Sequence, residues 1–397
     1  MDHHAVTIVG GGNAGISLAA RLLREGVDDV ALVEPRTTHH YRPLLNYVGA
    51  GLAPMSAVER PTRSLVPDGC TLVPDHVVSV DPGASDGPTV TTAGGRTLST
   101  STLVLCPGLD EDWDATPGLA RAYDEGWAAS TFVGESASRV WPALRDLTAG
   151  RVLFTVPPEP APCGPTALKP LLMACDHWRR RGVLDRLDVV LVLPYATALA
   201  VPVPDRRVEE ALTSYGVRVL REASVTELGD RAVTVTTPTG TEVVDDLAFA
   251  HVVPHYRAPR WIEDAGLAGT TAAGLADVDL HTMRHRRHPA VWALGDCADL
   301  RTRPSGGALR DQVSVLAAHL TAAPGTPEAR LPRYDGYTVM PITLDRRRLM
   351  LVEIDRDGRP SPSVPFVDLT RPRRTTWLAD RYGLPQTYFR RILRGKV

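Results

Sequence analysis

One cysteine stands between a predicted strand and a predicted helix. Residues 151–156, RVLFTV, form an apolar run typical of a buried strand, and a proline-rich segment leads from them to Cys163. The helix that follows carries Lys169. A helix N-terminus and a nearby lysine both favour a thiolate, so the sequence predicts a lowered pKa for Cys163 and a redox or nucleophilic role. An inert buried cysteine is the competing interpretation.

The N-terminus carries a loop of another kind. Residues 10–15, GGGNAG, follow the apolar strand 6–9 and open a predicted helix, and Glu34 ends the next strand. Glycines at this spacing permit a tight turn, close approach of a pyrophosphate and close helix–strand packing. The helix N-terminus attracts the phosphates, and the carboxylate of Glu34 can accept hydrogen bonds from ribose hydroxyls. These residues predict a dinucleotide site.

Two later segments favour FAD as the dinucleotide. Residues 103–108, LVLCPG, read as a strand returning to the first loop, and Gly295-Asp296 follows another apolar strand. A strand-end Gly-Asp can hold the ribityl chain of a flavin. The Cys163 segment has prolines where a second glycine loop would stand, so we expect no direct use of NAD(P)H.

Composition excludes several classes of protein. The chain has 397 residues and a net charge of −2, which gives no global signal for nucleic acid. Its five cysteines include no C-x-x-C pair, and we predict no metal site. The N-terminus enters a strand directly, without a basic and apolar leader, and no run of about 18 apolar residues occurs. We therefore expect a cytoplasmic protein, with peripheral contact to a membrane left open.

The order of elements predicts an α/β fold with two Rossmann-like domains. We assign 1–109 and 276–330 to a discontinuous FAD domain, 110–275 to a second nucleotide-type domain without a fingerprint, and 331–397 to a C-terminal segment. From Arg371 onward this segment has eight basic residues, one acidic residue and interleaved aromatic ones. Basic amphipathic helices of this kind lie on anionic membranes, dock on the protein body or form a dimer contact.

These motifs resemble the sulfide:quinone oxidoreductases, in particular the mitochondrial-type branch of this two-dinucleotide (pyridine nucleotide-disulfide) flavoprotein superfamily. The matching segments are GGGNAG (10–15) with Glu34-Pro35, HYRPLLNYVGAGL (40–52), RPTRSLVP (60–67), PAPCGPTALK (160–169), HTMRHRRHPAVWALGDCADL (281–300) and PRYDGYTVMPI (332–342). The resemblance implies catalytic roles for Cys163 and Lys169. The expected FAD-binding residues are Gly10, Gly12, Asn13, Ala14, Gly15, Glu34, Pro35, Arg42, Pro43, Val78, Cys106, Pro107, Gly108, Gly295, Asp296, Gly307 and Ala308.

Two departures from the family leave the reaction open. The family uses two cysteines, and the second position is Met340 here, while Pro304 replaces a family lysine. The resemblance still implies oxidation of a sulfur-containing substrate such as sulfide, a persulfide or a thiol, with a quinone or another acceptor. The alternatives are an oxidoreductase acting on an organic substrate in a biosynthetic pathway, a non-catalytic flavin-binding redox sensor and, last, an NADH dehydrogenase. The oligomeric state is left open.

Overall fold

Two parallel sheets carry the loops of interest. The computed structural model describes residues 2–364 and 366–397. Along these residues the first strands are β1 (Asp2–Val9), β2 (Val30–Val33), β3 (Thr38–His40), β4 (Glu59–Pro61), β5 (Cys70–Val73), β6 (Val77–Asp81), β7 (Thr89–Thr92), β8 (Thr97–Leu105) and β9 (Asp110–Asp112). The next are β10 (Gly150–Thr155), β11 (Leu187–Leu193), β12 (Arg218–Arg221), β13 (Ser224–Leu228), β14 (Val233–Thr237), β15 (Gly240–Val244), β16 (Leu247–His251) and β17 (His255–Arg257). The last are β18 (Val291–Ala293), β19 (Thr338–Thr343) and β20 (Leu349–Ile354).

The helices lie between these strands and after them. They are α1 (Asn13–Arg24), α2 (Leu45–Val48), α3 (Met55–Val58), α4 (Leu119–Asp124), α5 (Ala137–Arg145), α6 (Leu168–Arg180), α7 (Pro202–Ser214), α8 (Arg260–Asp264), α9 (Ala308–Leu320), α10 (Arg374–Leu378) and α11 (Leu384–Arg390). α1 follows the first loop and α6 follows the Cys163 loop, as the sequence predicts. A 3₁₀ turn, Gly164–Ala167, separates Cys163 from α6.

The first sheet has the order β5-β2-β1-β8, with β18 also parallel to β8. β7 and β6 extend the same sheet as antiparallel strands from the start of β8. All four residues of β2 are buried, as expected for a parallel strand covered on both faces. The carboxyl ends of β1, β2, β8 and β18 therefore meet at one edge, which is where a doubly wound sheet binds its ligand.

The second sheet repeats this plan. Its order is β12-β11-β10-β16, and all its strands are parallel. β13, β14 and β15 form an antiparallel meander beside it. The mixed α/β fold with two Rossmann-like sheets, predicted from the sequence, is confirmed.

The C-terminal segment packs back on both sheets. β19 and β20 form a hairpin, and β19 lies against α6 and the Gly164–Ala167 turn. A π-helical turn, Ala379–Gly383, joins the two short helices α10 and α11. Pro385 fits there because the first turn of α11 needs no N–H from it. Within the described ranges, no helix has the length and apolar character required to cross a bilayer.

Candidate active site

The first loop has the shape that a pyrophosphate requires. Gly10 has φ of +105°, and a Cβ on Gly15 would lie 1.9 Å from the carbonyl oxygen of Gly10. Gly12 meets no protein atom within 4 Å of a built Cβ, so its outer side is open. Gly12 caps α1 without a side-chain hydrogen bond, and Asn13 and Ala14 begin the helix. The first N–H groups of α1 are therefore available to an anion.

Glu34 lies beside this loop at the end of β2. Its Oε2 accepts a hydrogen bond from the Gly11 N–H at 2.6 Å, and its Oε1 accepts one from the Arg36 N–H at 2.7 Å. A Cβ on Gly11 would lie 2.7 Å from the Glu34 side chain, so Gly11 is required here as well. The carboxylate fixed in this way keeps further lone pairs that could accept hydrogen bonds from ribose hydroxyls, and Pro35 follows it directly.

The ends of β8 and β18 complete this edge. The thiol of Cys106 donates to the Gly10 carbonyl at 3.5 Å, and Pro107-Gly108 turn the chain away with φ of +79° at Gly108. The Gly295 N–H donates to Oε1 of Gln312 at 2.9 Å. Cys106 therefore supports the loop from behind, a structural role for a residue predicted to bind FAD.

Arg42 and Asp296 converge although they are far apart in sequence. Burial raises the pKa of Asp296, and the charge of Arg42 acts in the opposite direction. Arg42, which Pro43 follows in a short 3₁₀ turn, donates to the Phe132 carbonyl at 2.7 Å. Sequence reasoning missed Tyr256. The charges of both Arg42 and Asp296 act on the pKa of its phenol, which Arg42 lowers and Asp296 raises.

The remaining predicted FAD residues divide into two groups. Gly307 caps α9, and the Ala308 N–H donates to Ser305 Oγ at 3.1 Å. α9 packs on α1, so both helix N-termini belong to the first sheet's edge region. Val78 lies apart from the others on the outer strand β6, with its side chain 51% exposed. The structure brings most of the predicted set together but not Val78.

The Cys163 loop follows β10, the strand that occupies an inner position of the second sheet as β1 does of the first. Cys163 itself has φ of +59°, a left-handed conformation unusual for a residue with a side chain. Thr166 Oγ1 donates to the Cys163 carbonyl at 2.8 Å and fixes the turn into α6. The prolines and this turn hold Cys163 at the carboxyl-terminal edge of the second sheet. The glycine loop lies at the equivalent edge of the first sheet.

The predicted lowering of the Cys163 pKa is wrong. The side chain is partly accessible, yet burial in the surrounding protein raises its pKa to about 12. The hydrogen bond from Thr166 and the charge of Lys169 oppose this shift and do not overcome it. The short 3₁₀ turn also separates the cysteine from the start of α6, so the helix dipole acts over a greater distance than expected.

Lys169 is engaged elsewhere. It is 1% exposed, and its Nζ lies 3.0 Å from Oδ2 of Asp380 in the C-terminal π turn. The phenol of Tyr47 donates to the same oxygen at 2.6 Å, and the Lys169 ammonium sits 4.5 Å above the Tyr47 ring. The counter-charge of Asp380 weakens the field of Lys169 at Cys163. Sequence spacing gave no signal for this partner.

Glu159 is a second residue that sequence reasoning missed. Its N–H donates to the Tyr195 hydroxyl at 2.7 Å, and its Oε2 accepts from the Ala161 N–H at 3.1 Å. A Cβ on Gly164 would be 3.4 Å from its Oε1, which places the carboxyl beside the cysteine backbone. Burial raises the pKa of Glu159, and Arg303 opposes that shift. A carboxylate next to a reacting thiol can act as a general base.

Met340 is the residue that the resemblance aligns with the family's second redox cysteine. It is fully buried on β19, the strand that packs against the Gly164–Ala167 turn. Its thioether Sδ accepts a hydrogen bond from Nη1 of Arg303 at 3.2 Å. Pro304 follows Arg303 directly. The structure therefore places a thioether and a guanidinium next to the cysteine loop.

A cavity of about 840 Å³ connects these features. Its lining includes Glu159 from the cysteine loop, Asp296 and Tyr256 from the flavin side, and Arg303 with Pro304 from the segment before α9. The cavity thus joins Asp296, which follows the first sheet's strand β18, to Glu159 and Pro160 of the loop that carries Cys163.

The chain is similar over nearly its full length to sulfide:quinone oxidoreductases. It is 28% identical to the mouse mitochondrial sulfide:quinone oxidoreductase, covering 99% of this chain and 87% of that protein. It is 29% identical to the Dictyostelium discoideum mitochondrial enzyme, covering 98% and 86%. The sulfide:quinone oxidoreductase structure from Aquifex aeolicus superposes with a TM-score of 0.79 at 17% identity, covering 100% of this chain and 92% of that one. No protein-family model matches.

These comparisons confirm the resemblance and correct one prediction. The similarity to sulfide:quinone oxidoreductases predicted from the motifs holds over nearly the whole chain. The cytoplasmic localisation predicted from the sequence is contradicted, because the curated relatives are named as mitochondrial. A targeting segment is independent of the folded domain, so the strand at the N-terminus carried no information on the compartment.

Proposed function

We propose that the protein is an FAD-dependent oxidoreductase that oxidises a sulfur-containing substrate at Cys163 and passes the electrons to a quinone or another acceptor. The observation that carries this proposal is the shared cavity, which joins the Asp296 edge to the cysteine loop. When bound, FAD would accept an electron pair from the substrate and release it to a second acceptor.

The residues present fit FAD. The open side of Gly12 and the first N–H groups of α1 would hold the pyrophosphate. Glu34 would accept hydrogen bonds from ribose hydroxyls, and Asp296 with Arg42 would hold the ribityl end. The Pro-rich loop after β10 offers few N–H groups to phosphates, which argues against a second dinucleotide.

The residues around Cys163 have roles that follow from their protonation. Since burial raises the pKa of Cys163 to about 12, its thiol carries a proton at neutral pH. The nearby Glu159 carboxyl is the candidate acceptor of that proton when the sulfur reacts. Lys169 acts mainly through Asp380 and Tyr47, which hold α6 in place.

A quinone and a membrane surface are the partners that the C-terminal segment supports. Leu378, Tyr382 and Leu384 are 43%, 55% and 43% exposed, within a segment rich in arginine. Trp377 and Tyr388 from the same segment are buried against the body. Part of the segment therefore docks on the protein, while exposed apolar side chains beside basic ones suit peripheral contact with an anionic membrane.

Anaerobic reduction of the purified holoprotein tests the function. Sulfide or a small organic thiol should bleach the flavin absorbance, and Cys163→Ala should abolish the reaction while retaining FAD. Because the thiol must lose its proton, the rate should increase with pH across the neutral range without a plateau. Rapid bleaching by NADH would instead support an NADH dehydrogenase. Bleaching by an organic substrate without sulfur would support a repurposed enzyme, and a flavin that no donor reduces would support a sensor.

A further inference from the structure

Cys163 is the thiol of the candidate site, whereas the family uses two cysteines. The residues around Cys163 indicate where a second sulfur would come from. All five cysteines are free. Cys106 and Cys297 donate to backbone carbonyls at the first sheet's edge, and Cys175 is fully buried within α6. Cys70 lies on the outer strand β5. Met340, which lies on the strand against the cysteine loop, cannot form a disulfide because its sulfur is a thioether.

Arg303 is the charged group next to Met340. Its Nη1 contacts the Met340 sulfur at 3.2 Å and the Leu199 carbonyl. In the described part of the chain no carboxylate forms a salt bridge with it, although Glu159 is near enough to be influenced by its charge. Arg303 is partly accessible and lines the cavity. A guanidinium held by a carbonyl and a thioether retains donors for an anion.

We propose that the second sulfur is supplied by the substrate, a small organic thiol that carries a carboxylate or another anionic group bound by Arg303. This inference rests on the proposed function and names the substrate class for that site. The anion anchors the substrate at Arg303, in the cavity that Glu159 and Pro160 of the Cys163 loop also line. Arg303 is thus a specificity-determining residue, next to Met340, the residue that aligns with the family's second cysteine.

The reaction balances with one protein thiol. The Cys163 thiol and the substrate thiol each lose a proton, an S–S bond forms between them, and the electron pair passes with the protons to the oxidised flavin of the proposed function. A second substrate thiolate then attacks the substrate sulfur of this mixed disulfide, which restores the Cys163 thiolate. The sum is two thiols converted to one disulfide and one flavin reduced by two electrons.

The test compares anionic and neutral thiols on the holoenzyme. Under anaerobic conditions 3-mercaptopropionate should reduce the flavin about tenfold faster than 2-mercaptoethanol at equal concentration, the ratio that one charge-assisted hydrogen bond of about 1.4 kcal/mol provides. One disulfide should form for each flavin reduced. Arg303→Gln should remove the preference while 2-mercaptoethanol still reduces the flavin, and Arg303→Lys should retain most of it.

A matched control and the opposing outcomes complete the design. Arg121→Gln removes an exposed guanidinium on α4 that pairs with Glu125 and Asp230, and it should leave the preference unchanged. Equal rates for the two thiols in the wild-type protein, or faster reduction by sulfide than by any organic thiol, would overturn the inference. The proposed function would survive that result, provided that Cys163→Ala abolished reduction. Failure of sulfide and every thiol to reduce the flavin would refute the proposed function first.

Discussion

The loops after β1 and β10 occupy equivalent positions in two sheets of the same plan, and they differ in nearly every residue. Three residues separate β1 from α1, and all three are glycines. Twelve residues separate β10 from α6, and prolines and a cysteine dominate them. A glycine loop presents backbone N–H groups to phosphates, whereas proline has none to offer. One sheet edge can therefore bind a nucleotide or present a side chain, depending on which atoms the loop exposes.

The C-terminal segment holds the two loops by different interactions. On the first loop, the ring of His39 bridges the Gly11 carbonyl and the Tyr388 hydroxyl of α11. On the second, Asp380 of the π turn forms a buried ion pair with Lys169 of α6. A neutral hydrogen-bond chain and a buried charge pair differ in how much the loss of one partner lowers the free energy of unfolding, and substitutions can measure this difference.

The largest effect on FAD binding is expected at the glycines of the first loop. Gly15→Ala puts a Cβ 1.9 Å from the Gly10 oxygen, so we expect loss of FAD and a fall of about 3 kcal/mol in the free energy of unfolding. Gly12→Ala meets no protein atom, so the FAD-free protein should keep its stability within about 0.5 kcal/mol. Its FAD affinity should still fall, because the methyl group lies where the pyrophosphate approaches. Flavin content after purification and denaturant unfolding measure both quantities.

Full retention of FAD by Gly12→Ala would contradict the proposed difference between the two loops. It would show that the open side of Gly12 does not face the cofactor, and the assignment of the first loop as the phosphate site would fail. Loss of FAD by Gly12→Ala with normal stability, beside a destabilised Gly15→Ala, would separate the ligand contact from the packing contact within one loop.

The second loop should respond most to loss of its ion pair. Asp380→Asn leaves the Lys169 ammonium buried without a counter-charge, which costs about 3–5 kcal/mol in the free energy of unfolding. Adding Lys169→Met should recover part of that loss, since no unpaired charge remains. Denaturant unfolding of both single variants and the double variant gives the coupling energy. A cost below about 1 kcal/mol for Asp380→Asn would mean that the pair does not anchor α6.

Sequence reasoning succeeded where the site is local and failed where it depends on distant residues. The first loop could be predicted from spacing, because its parts are near each other in the chain: the strand, the glycines, the start of the helix and Glu34. The pKa of Cys163 depends on burial by several segments, and the two local influences considered, Lys169 and the helix dipole, are outweighed. Asp380 and Arg303 could not be found from spacing, because tertiary packing alone brings them to α6 and β19.

The smallest expected effect is at the hydrogen-bond chain on the first loop, and the protonation of His39 determines it. Burial lowers the pKa of His39 to about 4, so the ring is neutral at pH 7 and has one N–H. A ring nitrogen facing the Gly11 carbonyl at 3.3 Å must donate, so Nε2 accepts from the Tyr388 hydroxyl at 2.6 Å.

Tyr388→Phe keeps the buried ring and removes only that donor, which costs about 1 kcal/mol in the free energy of unfolding. The dissociation constant for FAD should rise at most severalfold, because the Gly11 carbonyl keeps its contact with His39. A loss of FAD as complete as in Gly15→Ala would show instead that the C-terminal segment controls the first loop as strongly as it holds the second.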